Sequence, residues 1–163
     1  MAYLPIEDYG VIGNMHTVAL VGKNGSIDWF CPRRFDGPSL FAAILDADIG
    51  GCFRVAPSIP CSSKQLYLPD TAALVTRFFS GGGVAEVTDF MPMELEPCAL
   101  VRRVSVVRGA VDLRMWCRPA FGYARLDHRL ELPRPDLARF TATDGSATEL
   151  HSSLPMAADD GAA

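Results

Sequence analysis

Two carboxylates, two guanidinium groups and an indole crowd into one short stretch, GSIDWFCPRRFDGP, as Asp28, Trp29, Arg33, Arg34 and Asp36. Hydrolysis of a glycosidic bond needs two carboxyl groups, one as acid and one as base or nucleophile. Arginines clamp carboxylates or sugar hydroxyls, and a tryptophan offers a flat apolar face to a pyranose ring. Each residue also has a plain structural use. Asp28 can accept from turn amides, and Asp36 is a good helix N-cap. Either arginine can pair with Asp28 or Asp36. Trp29, between Ile27 and Phe30, suits half-buried packing, as does Trp116. Asp28 and Asp36 lie on opposite sides of Pro32, and no spacing rule brings them together.

The remaining reactive side chains make no constellation. His16, His128 and His151 are far apart, and no GxSxG elbow holds a nucleophile. Cys31, Cys52, Cys61, Cys98 and Cys117 are odd in number and lack CxxC spacing. That argues against a zinc site or a disulfide framework and for free thiols in a reducing cytoplasm. Gly81-Gly82-Gly83 opens no helix, so it reads as a hairpin tip and not as a phosphate cradle. No catalytic residue, metal set or cofactor motif can be assigned from the residues.

The elements that must position the opening stretch are strands. Asn24-Gly25 sits between the apolar runs 17–21 and 26–30, and this pair predicts a β-hairpin closed by a type I′ turn. Leu40, Phe41, Ile44 and Leu45 recur at helical spacing, which predicts one short helix over 38–46. Further strands are predicted at 52–55, 65–68, 74–79, 84–90, 100–107, 111–117, 137–143 and 147–154, with turns about every ten residues. The piece 131–136, with Pro133 and Pro135, reads as a surface excursion. The expected fold is all-β: an antiparallel β-sandwich, partial in extent, with one short helix. Its domain covers residues 3–155, and residues 156–163 form a frayed tail.

At 163 residues the chain can bury a core of its own, and 49% hydrophobic against 21% charged residues is a globular balance. Net charge is −4 with the signs interspersed, so nucleic acid is not an expected partner. The N-terminus lacks a signal-peptide pattern and no apolar run approaches membrane-spanning length, which makes the cytoplasm the expected compartment and leaves out a membrane.

A series of short motifs extends this reading. Ile6-Glu7-Asp8-Tyr9-Gly10, Asn24-Gly25-Ser26-Ile27-Asp28-Trp29-Phe30, Arg34-Phe35-Asp36-Gly37-Pro38, Tyr67-Leu68-Pro69-Asp70-Thr71, Val87-Thr88-Asp89-Phe90-Met91-Pro92 and Cys117-Arg118-Pro119-Ala120-Phe121-Gly122-Tyr123-Ala124-Arg125 stand in order. Together they resemble the N-terminal region of bacterial and archaeal family 15 glycoside hydrolases of the glucoamylase-like and trehalase-like kind, over residues 3 to 155. One departure is that Pro32 stands one place earlier than the family's proline, with Arg33 intervening. The resemblance implies a two-part enzyme in which an (α/α)6 barrel, absent here, carries two catalytic glutamates and inverts an α-glucosidic bond. It implies that barrel as partner, an α-glucoside as indirect substrate, no cofactor, and no activity of this chain alone. Glu7, Glu86, Glu94, Glu96, Glu131 and Glu149 are not candidates for the missing acids. Asp28, Trp29, Arg34 and Asp36 are then expected to brace the face toward the barrel or to border the sugar site. The alternative is a stand-alone carbohydrate-binding or scaffold module.

Overall fold

The chain turns at Lys23-Asn24-Gly25 and lays β2 (Val18–Gly22) against β3 (Ser26–Phe30) in the computed structural model, which describes residues 3–93, 98–159 and 161–163. The hairpin stands where Asn-Gly predicts it, but the turn is not type I′. Gly25 N–H donates to the Gly22 carbonyl at 2.8 Å, and Gly25 alone takes a positive φ, 79°. This is a three-residue loop ending on a left-handed glycine. The Asn24 side chain accepts from the Ser26 amide at 3.0 Å. A Cβ on Gly25 would lie 2.1 Å from the Val55 carbonyl oxygen, so the loop is pressed flat on the next strand.

The described residues form three antiparallel sheets. The first has the order β1 (Tyr9–Gly13), β2, β3, β4 (Cys52–Pro57), β9 (Leu113–Arg118). The second is β5 (Ser62–Tyr67), β6 (Leu74–Ser80), β7 (Gly83–Phe90), β8 (Val101–Gly109), and the third is β10 (His128–Arg134), β11 (Leu137–Ala142), β12 (Ala147–His151). Alternation decides what each buries: Phe53 and Val55 of β4 and Ala85, Val87 and Asp89 of β7 point inward. One core joins Ile12, Val21, Ile27 and Phe30 to Leu74, Phe78 and Val87, and to Ala138 and Phe140 of the third sheet. The all-β sandwich expected from the sequence is the architecture observed.

Arg102 of β8 ties the first two sheets together. Its guanidinium meets the Asp89 carboxylate twice, Nε to Oδ1 at 2.8 Å and Nη2 to Oδ2 at 3.2 Å. It also donates to the carbonyls of Gly25 (2.8 Å) and Phe53 in the opposite sheet and lies over the Phe53 ring at 4.8 Å. The Arg102 and Asp89 side chains are 3% and 0% exposed.

Four details differ from the sequence expectation. The helix over 38–46 does not form; that segment is a run of turns. Leu40 and Phe41 donate their amides to the Phe30 carbonyl (2.8 and 3.2 Å), and Phe30 N–H donates to Phe41, so the backbone groups a helix needs are engaged by β3. Among the described residues the short α-helix is instead α1 (Phe121–Ala124), with left-handed dihedrals at Gly122 and Tyr123. Residues 131–134 of the expected excursion belong to β10; the ladder breaks between Glu131 and Arg134, where Pro133 has no N–H, a break an outer strand tolerates. At the tail, Ala162 and Ala163 are buried, and Ala163 exchanges backbone hydrogen bonds with Cys117 at 2.7 and 2.9 Å. The free edge of β9 offers unpaired N–H and C=O groups, and pairing with them requires no side-chain pattern.

The β8 edge is open in a second sense. Val104 and Val106 stand opposite Val87 and Ala85, and directly opposed residues share a sheet face. Val87 and Ala85 are fully buried, yet Val104 and Val106 are 45% and 48% exposed. The core-facing side of the sheet is therefore uncovered along its last strand.

Candidate functional site

A β-bulge at Asp28 organises the site. Leu20 pairs with Trp29 and Val21 with Ile27, so Asp28 has no partner of its own on β2. Ile27 and Phe30 both reach the core, and the two residues between them are left for contacts elsewhere. Asp28 accepts from Tyr9 Oη at 2.8 Å and from Ser26 Oγ at 2.5 Å. Burial, reinforced by the Asp28 hydrogen bond and charge, holds the Tyr9 phenol well above its ordinary titration range. Trp29 meets the ring of Tyr123 at 5.8 Å.

Beyond β3 the chain enters a corner built from three loops. In the first, Asn14 Oδ1 accepts from the amides of His16 (3.2 Å) and Thr17 (3.0 Å), and Thr17 Oγ1 donates to the Cys31 carbonyl at 2.5 Å. In the second, the Phe35 amide donates to the His16 carbonyl at 3.3 Å, and Arg34 meets Asp36 with two bonds of 2.9 Å. In the third, Gly122 and Tyr123 donate their amides to the Ser39 carbonyl and hydroxyl, both at 2.9 Å, while Tyr123 Oη donates to Gly37. Arg125 covers the Tyr123 ring at 5.6 Å and donates from Nε to the Gly122 carbonyl at 2.8 Å.

Strain collects in this corner. Among the described residues five non-glycine residues have positive φ, and Met15 (71°), Arg33 (70°), Tyr123 (63°) and Ala124 (58°) all belong here. Each costs roughly 1–2 kcal/mol and persists where surrounding bonds over-determine it. The same corner exposes apolar surface, with Met15 at 87% and Phe35 at 64%. Rigid loops holding out apolar side chains are what a preformed contact surface requires.

Electrostatics argue against acid–base chemistry between the two aspartates. Asp36 is held below the usual carboxylate range, chiefly by its hydrogen bonds from Arg34. The Cys31 thiol is pushed up by burial, against a smaller opposing effect of Tyr123. Asp28 faces Tyr9 and Ser26 and Asp36 faces Arg34, so the structure does not bring the two carboxylates together as a pair. Among the described residues no three His, Cys, Asp or Glu side chains gather into a metal-binding group. Of the four residues singled out in the sequence, Trp29, Arg34 and Asp36 share the corner, while Asp28 turns toward β1. Ser39, Tyr123 and Arg125 complete it; they escaped sequence reasoning because only tertiary pairing places 121–125 against 31–39. The run Phe121-Gly122-Tyr123-Ala124-Arg125 was the available signal.

A family model described as trehalase-like, N-terminal, matches residues 2–146. The chain belongs to that family. Among proteins similar to this trehalase-like N-terminal domain are the trehalase of Mycolicibacterium smegmatis, 32% identical over 93% of this chain and 26% of that protein, and the trehalase of Mycobacterium tuberculosis, 30% identical over 93% and 25%. Trehalase 1 of Sulfolobus acidocaldarius is 39% identical over 74% of this chain and 20% of its own length. The domain thus spans about a quarter, or less, of these relatives. No solved structure gives a significant match. No helix among the described residues is long and apolar enough to cross a membrane. Glu94 and Glu96 lie outside the described residues.

Proposed function

We propose that this chain is the N-terminal accessory part of an α-glucoside hydrolase of the trehalase or glucoamylase type, in family 15, working in the cytoplasm. It acts with a catalytic (α/α)6 barrel and does not hydrolyse substrate alone. The observation that carries this reading is the coverage: 93% of this chain aligns with only 26% of the M. smegmatis trehalase, so most of such a protein lies outside the matched part. The chemistry then resides in the barrel, where one glutamic acid protonates the leaving oxygen and a second carboxylate activates water on the opposite face of the sugar, about 6.5–9.5 Å away. The corner supplies a preformed contact surface. Trp29, Arg34 and Asp36 brace the face toward the barrel and border the sugar site, and Asp28 stiffens the strand behind them.

The test is a chimera in which this chain replaces the matched part of the M. smegmatis trehalase, compared with the same enzyme lacking that part and with the 163-residue chain alone. Only the chimera is expected to hydrolyse trehalose. Within it, Trp29→Ala or Arg34→Ala lowers kcat/KM more than it lowers the melting temperature. Trehalose hydrolysis by the isolated chain, or full activity of the enzyme lacking the matched part, defeats the proposal.

A further inference from the structure

We propose a second site, independent of the hydrolase reading: an oxyanion-binding groove centred on Arg54. Residue 54 stands in the middle of β4, between Ser26 of β3 and Trp116 of β9. Phe53 and Val55 face the core, so alternation sends Arg54 to the opposite side of the sheet. There it separates two spaces. On one side is a small cavity of about 40 Å³ lined by Leu4, Tyr9, Ser26, Asp28 and Cys52 as well as Arg54. On the other is an open groove of about 510 Å³ bounded by Leu4, Lys23, Asn24, Ser58, Ile59 and Ser63, with Arg54 again in its wall.

The arginine is built in but not paired. Its Nε is buried with no hydrogen-bond partner, the one such side-chain atom among the described residues. Among the described residues Arg34, Arg77, Arg102, Arg129, Arg134 and Arg139 have a carboxylate partner; Arg54 is one of the arginines without one, and the one whose Nε is buried. Leaving a charged donor unsatisfied costs more than leaving a neutral one so. In the groove Lys23 is matched by Asp8 at the rim, which leaves the Arg54 guanidinium as the remaining charged group on that side, with the Asp28 carboxylate lining the cavity behind it. A planar fork of N–H donors, flanked by the Asn24 amide and the Ser58 and Ser63 hydroxyls, is suited to a phosphate or carboxylate group carried by a small molecule. The groove volume is that of a small-ligand site.

The experiment is a titration of the 15N-arginine-labelled 163-residue chain with inorganic phosphate, and separately with acetate, at ionic strength held constant with chloride. The Nε–H signal of Arg54 is assigned through bonds from its backbone amide in a 13C,15N-labelled sample of the unsubstituted chain. Phosphate or acetate is expected to shift that one signal saturably. It is also expected to raise the melting temperature of the unsubstituted chain by a few degrees at tenfold excess over Kd, and not that of Arg54→Lys. A response to phosphate alone, or to both anions, supports the site and states which oxyanion it prefers. An Arg54 signal unmoved by either, or a thermal shift that persists in Arg54→Lys, overturns the proposal and leaves the guanidinium satisfied by solvent alone. The spectroscopic readout uses the unsubstituted protein, so the result stands even where the variant folds poorly. A failure of the hydrolase chimera would leave this outcome unaffected.

Discussion

Replacing Asp89 by leucine tests the tie between the sheets most directly. The substitution keeps the branching of the side chain, though leucine is bulkier, and strands the Arg102 guanidinium in a site where it is 3% exposed. Removing one member of a buried ion pair costs about 3–5 kcal/mol, because the survivor remains desolvated without its counter-charge. For a chain of this size each 1 kcal/mol moves the melting temperature by about 2–4 °C, so a fall on the order of 10 °C is expected. Against a typical domain stability of about 5–15 kcal/mol, that loss takes a large share. Urea unfolding followed by circular dichroism reads the change as a shift in midpoint. The pair Asp89→Leu with Arg102→Met removes both charges together, and most of the loss should return. The carbonyl of Gly25 keeps the Val55 amide as a partner at 3.0 Å when the guanidinium leaves, which limits the residual penalty. A loss below about 1 kcal/mol for Asp89→Leu would refute the reasoning. So would a double variant as unstable as the two single losses added.

Four further outcomes are expected. Gly25→Ala should destabilise the chain by at least about 2 kcal/mol in the same urea assay, since it combines a left-handed φ with a Cβ 2.1 Å from the Val55 carbonyl oxygen. Met15→Gly relieves a positive φ at an exposed position and should raise stability by about 0.5–1 kcal/mol; a loss would show that Met15 packs in the isolated chain. The Tyr9 phenol is raised above its ordinary value of 10.0, so its hydrogen bond contributes stability that is complete below that pH and fades as pH climbs above it. Alkaline unfolding followed by tyrosinate absorbance should therefore show Tyr9 ionising with the unfolding transition, and Tyr9→Phe should flatten the stability profile above pH 10. Val106→Lys on the uncovered side of β8 should reduce concentration-dependent self-association in sedimentation velocity without lowering the urea midpoint.

Most strands were legible because their signals are local. Asn24-Gly25, Ser80 to Gly83 and Asp144-Gly145 mark hairpins, and alternation in 113–118 marks a strand with one buried face. What escaped depended on pairing at a distance. The helical spacing in 38–46 is real, yet the Phe30 backbone claims that segment first. The turn type was missed because Asn24 accepts the Ser26 amide with its side chain and has no need of a left-handed backbone. At the site, the Arg34–Asp36 contact could be anticipated from two residues of spacing, whereas the tilted ring contact of Trp29 with Tyr123 spans two remote segments. Arg54 gave no signal at all, since an unpaired guanidinium looks like any surface arginine until its neighbours are known.

The bulge in β3 has a consequence for anyone moving this hairpin to another scaffold. Ala19, Leu20 and Val21 on one strand face Ile27, Asp28, Trp29 and Phe30 on the other. A strict period of two would force a choice between sending Ile27 inward and sending Phe30 inward; with one residue to spare, both go in. Deleting residue 28 would make the ladder commensurate and still leave Ile27 and Phe30 inward with Trp29 outward between them; the transplanted strand would lose only the carboxylate that accepts from Tyr9 and Ser26.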